Sequence, residues 1–317
     1  MANDSPISLT VELGPLRLKN PVMVASGTFG YGQEYAELVP PERLGAMVVK
    51  GISLEPRSGN PPPRIWETCG GMLNSIGLQN VGLRAFLEEK LPWLRQLSVP
   101  VIVNLFGNTV EEYRELASAL DGQEGIDGLE INISCPNVKA GGMTFGSDPE
   151  MAYQVVSAVK SSTNLPVITK LTPNVTDITV IAKAVEDAGT DILSLINTVA
   201  GMAVDLQTCQ PRLANVVGGL SGPAIKPIAL RMVWQVVQVS RVPVIGLGGI
   251  VSVEDALEFL IVGAKAIQVG TANFINPPVT LEIIDGLEDY LRQRGLEDIN
   301  EIIGTLEIPE GSAGTRE

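Results

Sequence analysis

The sequence runs to 317 residues, a length that α/β barrels reach as one unit. It is 45% apolar but only 4% aromatic, so a large core must be built mainly from Val, Ile, Leu and Ala. A net charge of −14 with no basic run argues against nucleic-acid binding, which rests on Lys and Arg neutralising phosphates, and the lack of any histidine excludes Ser-His-Asp triads, Cys-His dyads and His-ligated metals.

Short Val- and Ile-rich runs bounded by Gly, Pro, Asn or Asp recur along the chain. The first two are residues 21–26 (PVMVAS) and 46–51 (AMVVKG), followed by a long connection over 52–80. The third, 99–104 (VPVIVN), precedes a helix predicted at 109–120, where Thr109 and Glu112 form a capping box. The fourth, 128–134 (GLEINIS), precedes a helix at 147–161 opened by Ser147 and Glu150. The fifth, 165–171 (LPVITKL), leads to an apolar stripe at 182–188, and the sixth, 191–198 (DILSLINT), to a second long connection over 197–222. A helix at 225–239, a seventh run at 242–248 (VPVIGLG), a helix at 252–262 beginning SVED, an eighth run at 266–271 (AIQVGT) and a helix at 279–292 complete the pattern. The tail from 309 to 317, Gly-, Ser- and Glu-rich, reads as disordered.

Near-continuous apolar runs are what strands covered on both faces require. Eight of them alternating with helices predict α/β architecture: a (β/α)8 TIM barrel with inserted loops at the C-terminal face of the strands, in one domain spanning residues 1–317. A doubly wound sheet is the structural alternative. No G-x-G-x-x-G follows the first strand; the glycines there run Gly27, Gly30, Gly32. The polar, acidic N-terminus and the lack of any apolar run near the ~18 residues of a membrane span predict a cytoplasmic protein without membrane association. The three cysteines, Cys69, Cys135 and Cys209, are odd in number and contain no C-x-x-C, so no zinc or iron–sulfur site is expected on this chain.

Barrel chemistry concentrates at the C-terminal ends of strands. Those ends carry Ser26, Lys50, Asn104, Asn132, Lys170, Asn197, Thr198, Gly248, Gly249, Gly270 and Thr271. Any one Asn reads equally well as a turn residue and either Lys as a side chain reaching the rim, but their repetition around a ring points to a site. Two lysines ending apolar strands suggest an anionic ligand. Glycines after the seventh and eighth strands suit a phosphate, with Gly218–Gly222 as a further amide source. Cys135, in INISCPN, follows the fourth strand. A thiol ordinarily titrates near about 8.5, which suits a general base, whereas a buried apolar role is the commoner fate of a free Cys. Asn74–Asn80 (NSIGLQN) offers amides for a planar polar ligand, with Asn80 also reading as a helix cap.

Together, ASGTFGYG at 25–32, VVKGIS at 48–53, NSIGLQN at 74–80, INISCPN at 131–137, INT at 196–198 and GGLSGPAIKPIALR at 218–231 resemble the class 1 dihydroorotate dehydrogenases, most closely the NAD-linked subclass 1B catalytic subunit. The resemblance covers residues from about 8 to 305. It implies FMN contacts at Ser26, Lys50, Gly51, Asn104, Asn132, Lys170, Ile196, Gly222, Gly248, Gly249, Gly270 and Thr271. It implies substrate contacts at Lys50, Asn74, Ser75, Ile76, Gly77, Leu78, Asn132, Asn197 and Thr198. Cys135 falls on the family's base, where a serine would have suggested the membrane-associated class 2. The implied reaction is oxidation of dihydroorotate to orotate in de novo pyrimidine (UMP) biosynthesis. Electrons would pass to NAD+ through a partner subunit carrying FAD and a [2Fe–2S] cluster, in a heterotetramer built on a homodimer of this chain. Alternatives are the fumarate-using class 1A, a dihydropyrimidine dehydrogenase-type FMN barrel, a flavin-free phosphate-binding barrel and a non-enzymatic scaffold.

Overall fold

The eight apolar runs become eight parallel strands: β1 (Val22–Val24), β2 (Ala46–Ile52), β3 (Val101–Leu105), β4 (Gly128–Asn132), β5 (Val167–Lys170), β6 (Ile192–Leu195), β7 (Val244–Leu247) and β8 (Ala266–Val269). Each pairs with its sequence neighbours, and β8 pairs with β1, so the sheet closes into a barrel. The structure, a computed structural model, describes residues 7–134 and 145–309. Cys135 and the end of the expected tail, 310–317, lie outside the described residues.

Closure follows from the composition of the strands. Every residue of β3 to β8 is buried, so both faces need cover, from helices outside and from other strands' side chains inside. The helices Val110–Leu120, Pro149–Lys160, Ile178–Asp187, Lys226–Val237, Val253–Ile261 and Val279–Arg294 supply the outer layer, each burying an aliphatic stripe. A hairpin of Val11–Leu13 with Leu16–Leu18 lies at the opposite end from the strand C-termini, with Gly14 against Asp191 and Pro243 just before β6 and β7. No described helix is long and apolar enough to cross a membrane.

Local capping chemistry decides where several helices start. The Thr109 hydroxyl accepts the Glu112 N–H as expected, but the Glu112 carboxylate accepts from Asn108 rather than closing a box on Thr109. The second helix is capped by Asp148, not Ser147: the Asp148 carboxylate accepts the Met151 N–H at 3.0 Å, and Pro149 fills the first helical position, where no N–H is needed. Asp177 caps the third, so it begins at Ile178 rather than 182. One helical stretch escapes the sequence pattern: Gly82–Ala85, the π turn Phe86–Lys90 and Leu91–Leu94 run on from one another between β2 and β3. Gly82 at its start and Pro92 inside it both blur a helical signature, and a π turn is a local widening that tolerates a missing donor.

The two long connections are not plain loops. Ile65–Thr68 and Gly71–Asn74 from the first, and Val199–Gly201 and Gly218–Ser221 from the second, form one four-stranded antiparallel sheet above the barrel. Asn74 sits in register with Gly219, so residues distant in sequence share one rim.

Gly246 in β7 shows how closely the helical layer approaches the barrel. A Cβ there would lie 2.5 Å from Phe259 of the helix Val253–Ile261. Gly246→Ala is expected to destabilise by about 1–3 kcal/mol through overpacking, measured by chemical denaturation. An unchanged midpoint would show that Phe259 has room to withdraw.

Candidate active site

The barrel's strand C-termini and the rim sheet enclose a cavity of about 560 Å³, a size suited to a small-molecule or cofactor site. Its floor is polar. Glu130, in the middle of β4, is completely buried. Asn104 of β3 donates to its Oε1 at 2.8 Å, and Ser194 of β6 and Gln268 of β8 each donate to Oε2 at 3.0 Å. The Lys170 ammonium at the end of β5 lies 3.6 Å from Oε1 and donates to Ser26 Oγ at 3.4 Å. Strand register places these groups side by side, with Asn104 opposite Glu130 and Lys170 opposite Ser194.

Above the floor, Asn132 Oδ1 accepts the Ser134 N–H at 3.2 Å and Asn197 Nδ2 at 3.5 Å, while Ser134 Oγ donates to the Lys170 carbonyl at 2.8 Å. The chain leaving β4 is therefore fixed up to Ser134. Lys50, in the C-terminal half of β2, is half-buried and faces the same cavity. Burial first, and the nearby Arg64 cation second, push its pKa below the usual lysine value, with Glu34 opposing in part. Arg64 itself is held at the mouth by Gln79 Oε1 at 2.6 Å. Two buried polar atoms on the lining have no hydrogen-bond partner among the described residues, Gln268 Oε1 and Ser75 Oγ.

The far wall is backbone. Gly248 and Gly249 follow β7, and Gly270 and Thr271 follow β8. Gly249 has φ +76°, and a Cβ there would stand 2.8 Å from the Lys226 nitrogen and 2.9 Å from the Gly222 carbonyl. Only glycine allows both that conformation and that approach. Thr271 Oγ1 donates to Ser221 Oγ at 2.7 Å, joining this wall to the rim sheet.

Ser26, Lys50, Gly51, Asn104, Asn132, Lys170, Ile196, Gly222, Gly248, Gly249, Gly270 and Thr271 all line the one cavity, as do Asn74, Ser75, Ile76, Gly77, Leu78, Asn197 and Thr198. Cys135 is the next residue after Ser134 but lies outside the described residues. Asn80 faces away from this role: its Oδ1 accepts the Gly82 and Ser53 N–H groups, so it caps and ties rather than binds. Cys69 and Cys209 are free and exposed. Sequence reasoning missed Glu130, Gln268, Ser194 and Arg64. The legible signal for Glu130 was a carboxylate inside an otherwise apolar strand, which must find partners if buried. Arg64 carried no signal, because it depends on the rim sheet bringing residue 64 over β2.

Glu130→Gln leaves the Lys170 ammonium buried without its counter-charge. It is expected to cost about 3 kcal/mol in denaturant unfolding, whereas Ser194→Ala should cost only about 1 kcal/mol. Equal losses would mean that the charge pairing contributes nothing beyond a neutral hydrogen bond.

A family model described as dihydroorotate dehydrogenase matches residues 8–291. The dihydroorotate dehydrogenase B (NAD(+)) catalytic subunit of Geotalea uraniireducens is 60% identical over 298 residues, covering 94% of this chain and 98% of that protein. The proteins of the same name from Geotalea daltonii, 60% identical, and Geobacter sulfurreducens, 59% identical, each cover 95% of this chain and are themselves covered to 98%.

Proposed function

The chain belongs to the dihydroorotate dehydrogenase family, and from that membership we propose that it oxidises dihydroorotate to orotate for pyrimidine synthesis, using FMN held in the barrel cavity. The observation that carries this reading is the convergence, in one cavity, of strand-end lysines and asparagines on one side and a glycine-built wall on the other.

The residues suit FMN at both of its ends. The close-packed backbone at Gly248 and Gly249, with Gly270 across the wall, suits a phosphate, which binds well to amides and helix starts after the last two barrel strands. The unpartnered Gln268 Oε1 and the Lys170 ammonium on the floor suit a polar ring that offers a donor and gains negative charge. FMN would be held by Ser26, Lys50, Gly51, Asn104, Asn132, Lys170, Ile196, Gly222, Gly248, Gly249, Gly270 and Thr271, and when bound it supplies an acceptor for the substrate's C6 hydride at N5.

Asn74, Asn132 and Asn197 hold the ring amides and carboxylate of dihydroorotate, with Ser75, Ile76, Gly77, Leu78 and Thr198 shaping its pocket. Ser75 Oγ, buried and unpartnered, is available to that ligand. Lys50 and Arg64 offset the substrate's charge at the mouth. Cys135 takes the C5 proton as general base, and the anchored Asn132–Ser134 segment fixes where the chain toward it begins. On this reading the whole chain, 1–317, acts as a single cytoplasmic FMN-binding domain. Its relatives' designation as the catalytic subunit of an NAD(+) enzyme supports a separate electron-transfer subunit. On this reading that subunit carries FAD and [2Fe–2S], and two of each chain form a heterotetramer built on a homodimer of this one.

An anaerobic visible spectrum of the purified chain should show flavin that bleaches with dihydroorotate and not with dihydrouracil. Cys135→Ser should keep the flavin but bleach roughly 10²–10⁴-fold more slowly at neutral pH. A colourless protein that takes up no added FMN would remove the flavin reading altogether; bleaching by dihydrouracil would favour the dihydropyrimidine alternative. Reoxidation by fumarate without the partner subunit would favour class 1A.

Lys50 gives the reaction a pH signature. An anionic ligand favours its charged form, so orotate affinity should be highest at neutral pH and fall as pH rises through the depressed Lys50 pKa. Lys50→Ala should weaken orotate binding at neutral pH and flatten that fall, read by the flavin spectral shift; a pH profile unchanged by the substitution would remove Lys50 from ligand binding.

A further inference from the structure

Next to the glycine-built wall lies an ion cluster, Lys226, Asp255 and Glu258, whose residues are not themselves part of the cavity lining. Asp255, 8% exposed, sits in the first turn of the helix Val253–Ile261. One of its oxygens, Oδ2, accepts the Val251 N–H at 2.9 Å, and the other, Oδ1, accepts from Lys226 Nζ at 2.7 Å. The same ammonium donates to Glu258 Oε1 at 2.9 Å. Hydrogen bonding to Asp255 and then to Glu258 raises the Lys226 pKa, so this cation stays charged across the working pH range.

The position of the two anchored segments gives the cluster its meaning. Val251 ends the Gly248–Val251 stretch after β7, which lines the cavity. Lys226 begins the helix Lys226–Val237, directly after Gly222 and Ile225, which also line it. These two segments meet where Gly249 abuts the Lys226 nitrogen and the Gly222 carbonyl. A single carboxylate therefore grips both sides of the wall from behind, one side through a main-chain N–H and the other through a partly buried ion pair. Ser252 Oγ, accepting the Asp255 N–H at 3.3 Å, holds the carboxylate's own backbone in place.

We infer that Asp255, with Lys226, is a positioning pair that holds the post-β7 glycine segment against the Gly222–Lys226 turn in the geometry that receives a ligand phosphate. Neither residue meets the ligand. Their contribution is to keep backbone amides aimed where a phosphate sits, so the effect is confined to the phosphate-bearing end of the ligand. This rests on the FMN reading above, and it adds a prediction that reading does not contain: discrimination between a flavin with a phosphate and one without.

The test is titration of the flavin-free full chain with FMN and with riboflavin, followed by flavin fluorescence. Asp255→Ala should weaken FMN roughly tenfold or more, the scale of a lost charge-assisted hydrogen bond, while riboflavin changes by less than about threefold. Asp255→Asn, which can still accept the Val251 N–H, should recover part of the preference for FMN. Glu258→Gln, on the exposed side of Lys226, should change neither affinity. Should Asp255→Ala fail to fold, Lys226→Met decides, because it cuts the strap to the Gly222 turn and leaves Val251 bonded; a selective loss of FMN is again expected. Equal weakening of both flavins, or no change in either, would show that the cluster only staples two helices and would overturn the proposal while leaving FMN binding intact. A wild-type chain that binds neither flavin would instead overturn the FMN reading itself, and the positioning role with it.

Discussion

The ring side of this barrel's open end depends on one buried carboxylate. Glu130 has no exposure at all, and an ion removed from water costs several kcal/mol unless its lone pairs are filled. Its partners come from four other strands, Asn104, Lys170, Ser194 and Gln268. A one-residue slip in β3, β5, β6 or β8 would turn a partner to the other face and strand the charge. The network is thus better understood as a lock on register than as a source of net stability, because a well-packed aliphatic floor would cost less to bury. With register locked, the residues further along these strands, Asn132 two places beyond Glu130 and Asn197 three beyond Ser194, have no freedom over where they emerge.

That lock also shapes the electrostatics. The chain carries a net charge of −14, yet Lys50, Arg64 and Lys170 all face one cavity. Among the described residues, only Lys170 of these three is tied to a buried anion, Glu130, and this pairing lets a lysine sit 5% exposed at the floor. Lys50 meets burial and a neighbouring guanidinium, so its charge is disfavoured until an anion arrives. Binding an anionic ligand there relieves a strain built into the free site, which gives an acidic protein a locally receptive mouth.

How much of this was legible depended on whether the information was local. The eight strands were, because a strand buried on both faces must be apolar throughout, and such runs need no knowledge of their neighbours. The Thr109 and Ser252 caps were legible for the same reason. At the second helix, local reading chose Ser147 when Asp148 does the capping, since adjacent Ser and Asp followed by Pro offer two plausible starts and only the fold selects one. The rim sheet was not legible: its strands are short, glycine-rich and paired across more than a hundred residues, as Asn74 with Gly219 shows. Arg64 was hidden with it, and the role of Asp255 was hidden because its partner Lys226 is brought close only by tertiary structure. Site residues at strand ends were readable because barrel topology places every strand end on one face.

The cavity's two walls solve different recognition problems, and their chemistry differs accordingly. A planar ring with amides and a carboxylate presents donors and acceptors in a fixed pattern, which side chains such as Asn132 and Asn197 can match individually; those two are linked to each other at 3.5 Å. A phosphate is nearly isotropic and is best met by several N–H groups at close range, so side chains there are an obstruction, and glycine is what remains. Backbone has no rotamers to lock, however, so its aim must be fixed from outside. On the ring side, neighbouring strands provide that support through Glu130. On the phosphate side, strand pairing ends at Leu247 and the chain continues unsupported through Gly248 and Gly249. The Asp255–Lys226 pair lies behind that unsupported stretch, and it does for a glycine wall what a buried carboxylate does for the strands.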